Sequence, residues 1–333
     1  MKFISIICPT YNEEKYIANC IDSILASDYP KDLMEVLFVD GRSTDKTRSI
    51  IRSYTEKYPF IKQLDNPHRI VPYAMNLGIE NSKGDIIIRL DAHASYPKNY
   101  FSVLVEGLQK YAADNVGVVC KTDMLNANSK TKAIKHVLSN KFGVGNSLFR
   151  VGIDEVTEVD TVPFGCFKKD VFSRFGKYDF RLVRNQDIEL NKRIKNGGGK
   201  IYLLPDSFCT YYAREEFKPL MKNNYQNGLW NILTLYYTKS LKSLSIRHLV
   251  PFAFVSSLVL PLIAALFWKH FIWLSVASLF LYSAVLLWVI KGIREKENVP
   301  VLLLARAFLA LHLSYGFGSM MAFVKLPFIA KEK

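Results

Sequence analysis

The sequence predicts an α/β domain built on a mostly parallel sheet, followed by an α-helical tail that enters a membrane. Three observations lead there. Short β-branched runs alternate with amphipathic helical stretches through the first third of the chain, the pattern of βαβ units. Polar turns carrying Asn, Asp or His follow the carboxyl ends of those runs, where open α/β sheets hold their ligands. Three long stretches almost free of charge then crowd the last quarter.

Phe3-Ile-Ser-Ile-Ile-Cys8 is the first strand, stopped by Pro9, and Met1-Lys2 leads straight into it with no secretory leader. Thr10-Tyr11-Asn12-Glu13-Glu14 opens an amphipathic helix to about Ala26. The first glycine is Gly41, so this turn lacks the glycines that let a backbone approach a pyrophosphate. That argues against NAD and Walker-type ATP sites. Glu35 to Asp40 is the second strand, and Asp40 at its end either accepts hydrogen bonds from a base or ribose or merely ends the strand. Ser43, Thr44 or Asp45 can cap the helix that follows, Lys46 to Tyr58. Phe60 to Leu64 is a third strand, and Asn66-Pro-His-Arg69 leads into a helix ending near Asn81. The run Gly84 to Leu90 has the density of a buried strand, and Asp91 and His93 follow it. Residues two apart in extended chain point the same way, so a carboxylate and an imidazole converge. Such a pair can hold one divalent cation against a diphosphate. By itself the tripeptide reads equally as a turn with a surface histidine.

A helix from Lys98 to Tyr111 and the strand Val116 to Cys120 complete the alternation. Residues 121–157 are polar and interrupted, which predicts an irregular, mobile region. Val159 to Phe167 leads to a short helix around Asp170. Val183-Arg-Asn-Gln-Asp187-Ile-Glu189 opens another, and Lys200 to Leu204 is the last strand. Asp187 there reads from its place as a helix cap, with Glu189 on the same helix.

The bulk numbers narrow the partners. A net charge of +14 is diffuse and lacks the basic-aromatic blocks of a nucleic-acid binder. It suits an anionic membrane face and anionic substrates. Five cysteines without CxxC spacing predict reduced, mostly buried thiols and no disulfide frame.

Cys8-Pro-Thr-Tyr-Asn-Glu13, Val39-Asp-Gly-Arg-Ser-Thr-Asp45 and Arg89-Leu-Asp-Ala-His93 resemble the ordered motifs of the family 2 glycosyltransferases. Asp-Ala-His is similar to the succinoglycan-type, polyprenol-linked glucosyltransferases. The resemblance covers roughly the first two-thirds of the chain. It implies a GT-A nucleotide-sugar-binding fold, a nucleotide-diphosphate sugar donor and inversion at the anomeric centre. Pro9, Thr10, Tyr11, Glu13, Asp40, Arg69 and Asp91 then contact the nucleotide sugar. Asp91 and His93 hold Mg²⁺ or Mn²⁺, and Asp187 is the base. Three positions depart from the commoner pattern: Gly41 and His93 each replace an aspartate, and Gln186 replaces the first acid of an acidic pair. Gln226 and Trp230 resemble part of the signature of processive synthases, but no arginine precedes the tryptophan, which favours transfer of single sugars.

The catalytic domain is expected over 1–213. Residues 214–248 mix Lys and Arg with Trp230, Tyr236 and Tyr237, and predict an amphipathic connector in the membrane interface, or a soluble helix packing an aromatic stripe. A three-helix transmembrane domain over 249–333 follows, with uncharged spans Leu249 to Trp268 and Phe271 to Ile290 and a third from Pro300 to Val324. The positive-inside rule puts the loop after the second span, and the catalytic domain, in the cytoplasm. Arg306 lies near the cytoplasmic end of the third span, His312 deeper, and Gly316-Phe-Gly318-Ser319 offers a small-residue face for close packing.

The expected activity is a metal-dependent transfer from a UDP-sugar, UDP-glucose foremost, to a polyprenyl-diphosphate-linked glycan at the cell membrane. The alternatives are a polyprenyl-phosphate sugar synthase, which needs no base to strip a hydroxyl, or a membrane component that binds nucleotide sugars without catalysis.

Overall fold

The structure, a computed structural model, describes residues 1–329; the last four residues of the expected tail lie outside them. Strands β1 (Ile4–Thr10), β2 (Met34–Asp40), β3 (Ile61–Asp65) and β4 (Ile86–Arg89) alternate with helices α1 (Ile17–Leu25), α2 (Thr47–Thr55) and α3 (Val71–Asn81). Then come β5 (Ala94–Ser95), α4 (Tyr100–Lys110), β6 (Asn115–Asp123), α5 (Ser129–Ser139), α6 (Lys141–Val144) and α7 (Leu148–Val151). These lead to β7 (Thr157–Glu158), β8 (Cys166–Lys168), α8 (Val171–Arg174), α9 (Gln186–Asn196) and β9 (Ile201–Tyr212). Helices α10 (Phe217–Thr238), α11 (Val250–Ala264), α12 (Ile272–Arg294) and α13 (Val301–Ile329) complete the chain. The chain forms two compact units, one of residues 1–121 with 148–212, the other of 122–147 with everything from Ala213 on.

The first unit is a sheet with helices on both faces. Strand order is β3-β2-β1-β4-β8-β6-β9-β5, with β7 beside β9. Side chains alternate across it: Ile4, Ile6 and Cys8 of β1 pack with α1 and α4, whereas Ile7 faces the opposite way with Ala74 and Met75 of α3 and Leu190 of α9. Every residue of β2 is buried, as a strand covered on both faces requires. The sheet is mixed rather than mostly parallel. β3, β2, β1 and β4 run parallel to one another; β8 enters antiparallel between β4 and β6, and β5 and β7 pair antiparallel with β9. Strands of two or three residues carry no periodicity, so the sequence could not disclose the antiparallel half. All five cysteines are free and buried, as expected.

The second unit is helical, and it corrects the expectation of an irregular segment over 121–157. Asn128 caps α5, accepting from the backbone N–H of Lys130 and Thr131 at 3.0 Å each, while the Thr131 hydroxyl accepts from the Asn128 N–H at 2.9 Å. Ala133, Ile134 and Val137 of α5 join one buried cluster with Leu304, Phe308 and Leu311 of α13. On the polar side Lys132 and His136 pair with Glu297, at 2.8 and 2.9 Å.

The segment expected to be a connector is mostly α10, and one side of it packs along α13. A Cβ on Gly228 would lie 1.9 Å from the Tyr315 carbonyl oxygen, and one on Gly318 2.0 Å from that of Tyr225, so the two backbones touch. The Ser319 hydroxyl donates to the Gly228 carbonyl at 3.0 Å. Gly316 turns the other way, where a Cβ would meet the Pro251 carbonyl of α11 at 2.3 Å.

These contacts predict opposite effects for two glycine substitutions. Gly228→Ala must lift α10 off α13 and should cost about 1–3 kcal/mol, lowering the melting temperature in detergent. Nothing lies within 4 Å of a Cβ built on Gly292, near the end of α12, so Gly292→Ala should gain about 0.5–1 kcal/mol. A Gly228→Ala protein melting at or above wild type would contradict the close backbone contact.

Candidate active site

The parallel strands end together. Register pairs Thr10 with Asp40 and Asp40 with Asp65, so β1, β2 and β3 stop at one level and release their polar turns side by side. Those turns are laced to one another. Gly41 N–H donates to the Thr10 carbonyl at 2.8 Å, and Asn12 N–H to the Ser43 hydroxyl at 2.9 Å. Glu13 N–H donates to the Thr47 hydroxyl at 2.7 Å, and Thr44 N–H to the Asn12 side chain at 2.8 Å. Asn12 and Arg42 adopt left-handed backbone (φ 56° and 60°), which these bonds hold in place.

Asp40 is fully buried behind this lacework. Its carboxylate accepts from the Ser43 hydroxyl at 2.6 Å and from the Ser43 N–H at 3.0 Å, with Arg48 3.5 Å away. The carboxylate expected on a base or ribose is thus engaged in shaping the 41–43 turn. Gly41 has its own reason: a Cβ there would lie 3.2 Å from the Arg69 Cα and 3.3 Å from the Tyr11 ring. Tyr11 and Arg69, both exposed, therefore close on the same turn, Arg69 with φ of 63°. Thr10 is buried at the end of β1 beside Asp40, and Pro9 is half-buried just before it.

Arg89 occupies the centre. It ends β4 in register with Ile7, and its side chain is only 6% exposed. One Nη2 donates to Asp91 Oδ1 at 3.1 Å, while Nη1 stands 3.4 Å from Asp187 Oδ2. Burial works to lower the Arg89 pKa, but Asp91, Asp187 and Tyr178 outweigh it, and the guanidinium is held more firmly charged than in water. Among the described residues, Arg89 Nε, the Tyr178 hydroxyl and the Gln186 side-chain oxygen are buried without a hydrogen-bond partner.

The turn after β4 is clasped by a buried tyrosine. The Tyr96 hydroxyl accepts from Asp91 N–H at 2.9 Å and donates back to the Asp91 carbonyl at 3.0 Å. His93 Nδ1 lies 3.2 Å from Glu13 Oε1, so Glu13 backs the imidazole. A carboxylate on Nδ1 fixes the tautomer that presents Nε2, the arrangement common behind metal-ligating histidines. Among the described residues no group of three or more His, Cys, Asp or Glu side chains gathers around one point. Asp91 and His93 still suit Mg²⁺ or Mn²⁺, because such ions commonly take one or two protein ligands and complete their shell with substrate phosphates and water.

Asp187 is not the cap of α9. Asn185, with φ of 61°, holds that position, and Asp187 lies in the first turn with its carboxylate 31% exposed. Glu189 is bound by Arg193 through two hydrogen bonds, at 2.9 and 2.7 Å. Sequence reasoning assigned no role to Arg89, Tyr96 or Arg150. An arginine ending an all-isoleucine strand was the available signal for the first. Arg150 lay in the stretch read as irregular; it stacks on the Tyr211 ring at 5.2 Å, and that ring meets His93 edge-on at 5.2 Å.

Comparison with known proteins agrees with this geometry. Residues 5–175 match the model of glycosyl transferase family 2. The dolichyl N-acetyl-alpha-D-glucosaminyl phosphate 3-beta-D-2,3-diacetamido-2,3-dideoxy-beta-D-glucuronosyltransferase of Methanococcus voltae is 30% identical over 285 residues, 80% of this chain and 88% of that protein. The succinoglycan biosynthesis protein ExoA of Rhizobium meliloti is 28% identical over 94% of this chain and 92% of its own length. Among solved structures, a mannosyltransferase of Pyrobaculum calidifontis, in complex with GDP-Man and Mn²⁺, aligns with a TM-score of 0.57 and 18% identity. The alignment covers 97% of this chain and 86% of that one, a likeness of fold. The match spans both the laced turns and the Arg89 strand, and the chain belongs to the family 2 glycosyltransferases.

Proposed function

We propose that the protein moves a sugar, glucose foremost, from a UDP-sugar to a glycan carried on polyprenyl diphosphate, inverting the anomeric centre. The reading rests chiefly on one observation: a single buried guanidinium contacts both Asp91 and Asp187. A direct displacement needs a carboxylate near the acceptor hydroxyl and ligands near the leaving diphosphate, held at a constant separation. Arg89 supplies that link. The relatives support the acceptor class, since one is named for a dolichyl-linked sugar phosphate and another for succinoglycan biosynthesis.

In this reading Tyr11 and Arg69 frame the nucleotide, with Pro9, Thr10 and Asp40 shaping the turn beneath it. Asp91 and His93 hold a divalent cation, which when bound offsets charge on the departing diphosphate. Glu13 orients the His93 ring. Asp187 takes the proton from the acceptor hydroxyl as that oxygen bonds to the anomeric carbon and the bond to UDP breaks, a contribution of about 10²–10⁴ in rate. The C-terminal helices anchor the chain in the cell membrane, with the catalytic residues on the cytoplasmic side, and keep the lipid-linked acceptor close.

A panel of UDP- and GDP-sugars offered to membranes bearing lipid-linked acceptors tests the donor and the acceptor together. Transfer should occur from a UDP-sugar and stop on chelation of divalent metal. Activity from a GDP-sugar alone would replace the proposed donor.

His93→Ala should weaken metal dependence sharply, whereas His93→Asp should recover part of the activity by supplying a carboxylate. Metal titrations of wild type and His93→Ala that superimpose would remove His93 from the metal.

Asp187→Asn keeps the side chain's size beside Arg89 and leaves the Asn185 cap untouched. Turnover should fall about 100-fold or more while UDP affinity and folding persist. A folded variant within a few-fold of wild type would rule out Asp187 as base and favour transfer onto a polyprenyl phosphate, which needs none.

A further inference from the structure

Three helices of the second unit are long and apolar enough to cross a membrane, yet they differ in one respect. Of the most apolar 18 residues in Ile246–Ala264 and in Lys269–Arg294, 6% and 11% are buried within the protein, whereas in Val301–Phe328 the share is 50%. What covers α13 is not lipid-like. Along its length runs α10, in the same direction. The Arg306 guanidinium stacks on the Phe217 ring at 4.6 Å, Tyr315 and Ser319 meet Gly228, and Ala322 and Leu326 share a buried cluster with Leu229, Ile232 and Leu233. The first half of α10 carries Lys218, Lys222 and Gln226. A crossing α13 would draw these groups toward the hydrocarbon, where each polar or charged group left unpaired costs several kcal/mol.

The hairpin of α11 and α12 meets α13 through the start of α11 and the second half of α12. Tyr282 of α12 bonds to His312 at 3.0 Å, and His312 also bonds to the Phe142 carbonyl of α6 at 2.9 Å. On α11, Pro251 and Val255 pack on Gly316, and Phe252 stacks on Phe323 at 5.5 Å. One leg of the hairpin thus touches α13 at and before His312, and the other after Gly316. The outer part of the hairpin, with Leu266, Phe267, Trp273 and Phe280, is exposed. A third spanning helix would run beside the legs; this one passes from one to the other across them.

We propose that α13 does not cross the bilayer. It lies along the lipid–water boundary, across the base of the α11–α12 hairpin, and meets lipid through the exposed stripe Phe317, Met321, Val324 and Phe328. That stripe has the i, i+4, i+7, i+11 spacing of a single helix face. Lys325, beside it, then reaches headgroups.

Single cysteines at the two ends of α13 test this in the full-length protein, because all five native cysteines are buried. Lys296→Cys and Lys325→Cys both replace exposed side chains. With a membrane-impermeant maleimide, both should label from the same face, in inverted vesicles and not in intact cells. Glu295→Cys with Pro327→Cys, both exposed and outside the lipid-facing stripe, provides a second pair if either first variant folds poorly. Labelling of the two ends from opposite faces, or of Lys325→Cys only after detergent, would overturn the proposal.

Discussion

A guanidinium taken out of water needs carboxylates beside it, and Arg89 obtains them from two separate elements. Asp91 comes from the turn after β4 and Asp187 from the first turn of α9. Losing both partners would strand a buried charge, whereas solvent at the two carboxylates, 22% and 31% exposed, moderates the loss of either one. The arginine therefore dictates where α9 may begin and which way its first turn faces. The ion pair at Asp187 anchors the same turn that Asn185 caps in a left-handed conformation.

Around that centre, polar residues divide into those that build the site and those that face it. Asp40, Ser43, Asn12 and Thr47 spend their hydrogen bonds on one another's loops. Buried polar atoms are costly unless paired, so a turn-rich edge of a sheet becomes rigid only when its turns satisfy each other. Tyr11, Arg69, Asp91 and His93 keep part of their surface toward solvent. Gly41 belongs with the builders, because a side chain there would push away the 66–69 turn that brings Arg69 in. Tyr96 belongs there too, holding the backbone of Asp91 from both sides.

In the second unit the same apolar composition serves two environments. The α11–α12 hairpin exposes most of its leucines, phenylalanines and tryptophans, whereas α13 buries half of its most apolar 18 residues against α10, α5 and the hairpin. Backbone contact at Gly228 and Gly318 brings a helix rich in Asn and Lys against an apolar one without voids. The bonds from His312 to Tyr282 and to the Phe142 carbonyl satisfy an imidazole that would otherwise be stranded in the interior.

Much of this could be read from the chain itself. Isoleucine-rich runs ended by polar turns declared β1 to β4 and the edge where Thr10, Asp40, Asp91 and His93 gather, because β-branched periodicity and turn chemistry are local properties. The long uncharged stretches declared helices for the same reason. Pairing direction, burial and partnership are not local. Only the folded chain decided that β8 runs antiparallel beside β4, that Asp40 faces inward while Tyr11 faces out, and that Glu189 is tied to Arg193. It decided likewise that a capped helix fills 129–139 and that α13 packs on protein. Each of those outcomes depends on which distant residue arrives opposite, and a sequence records composition and spacing along the chain but not distance across space.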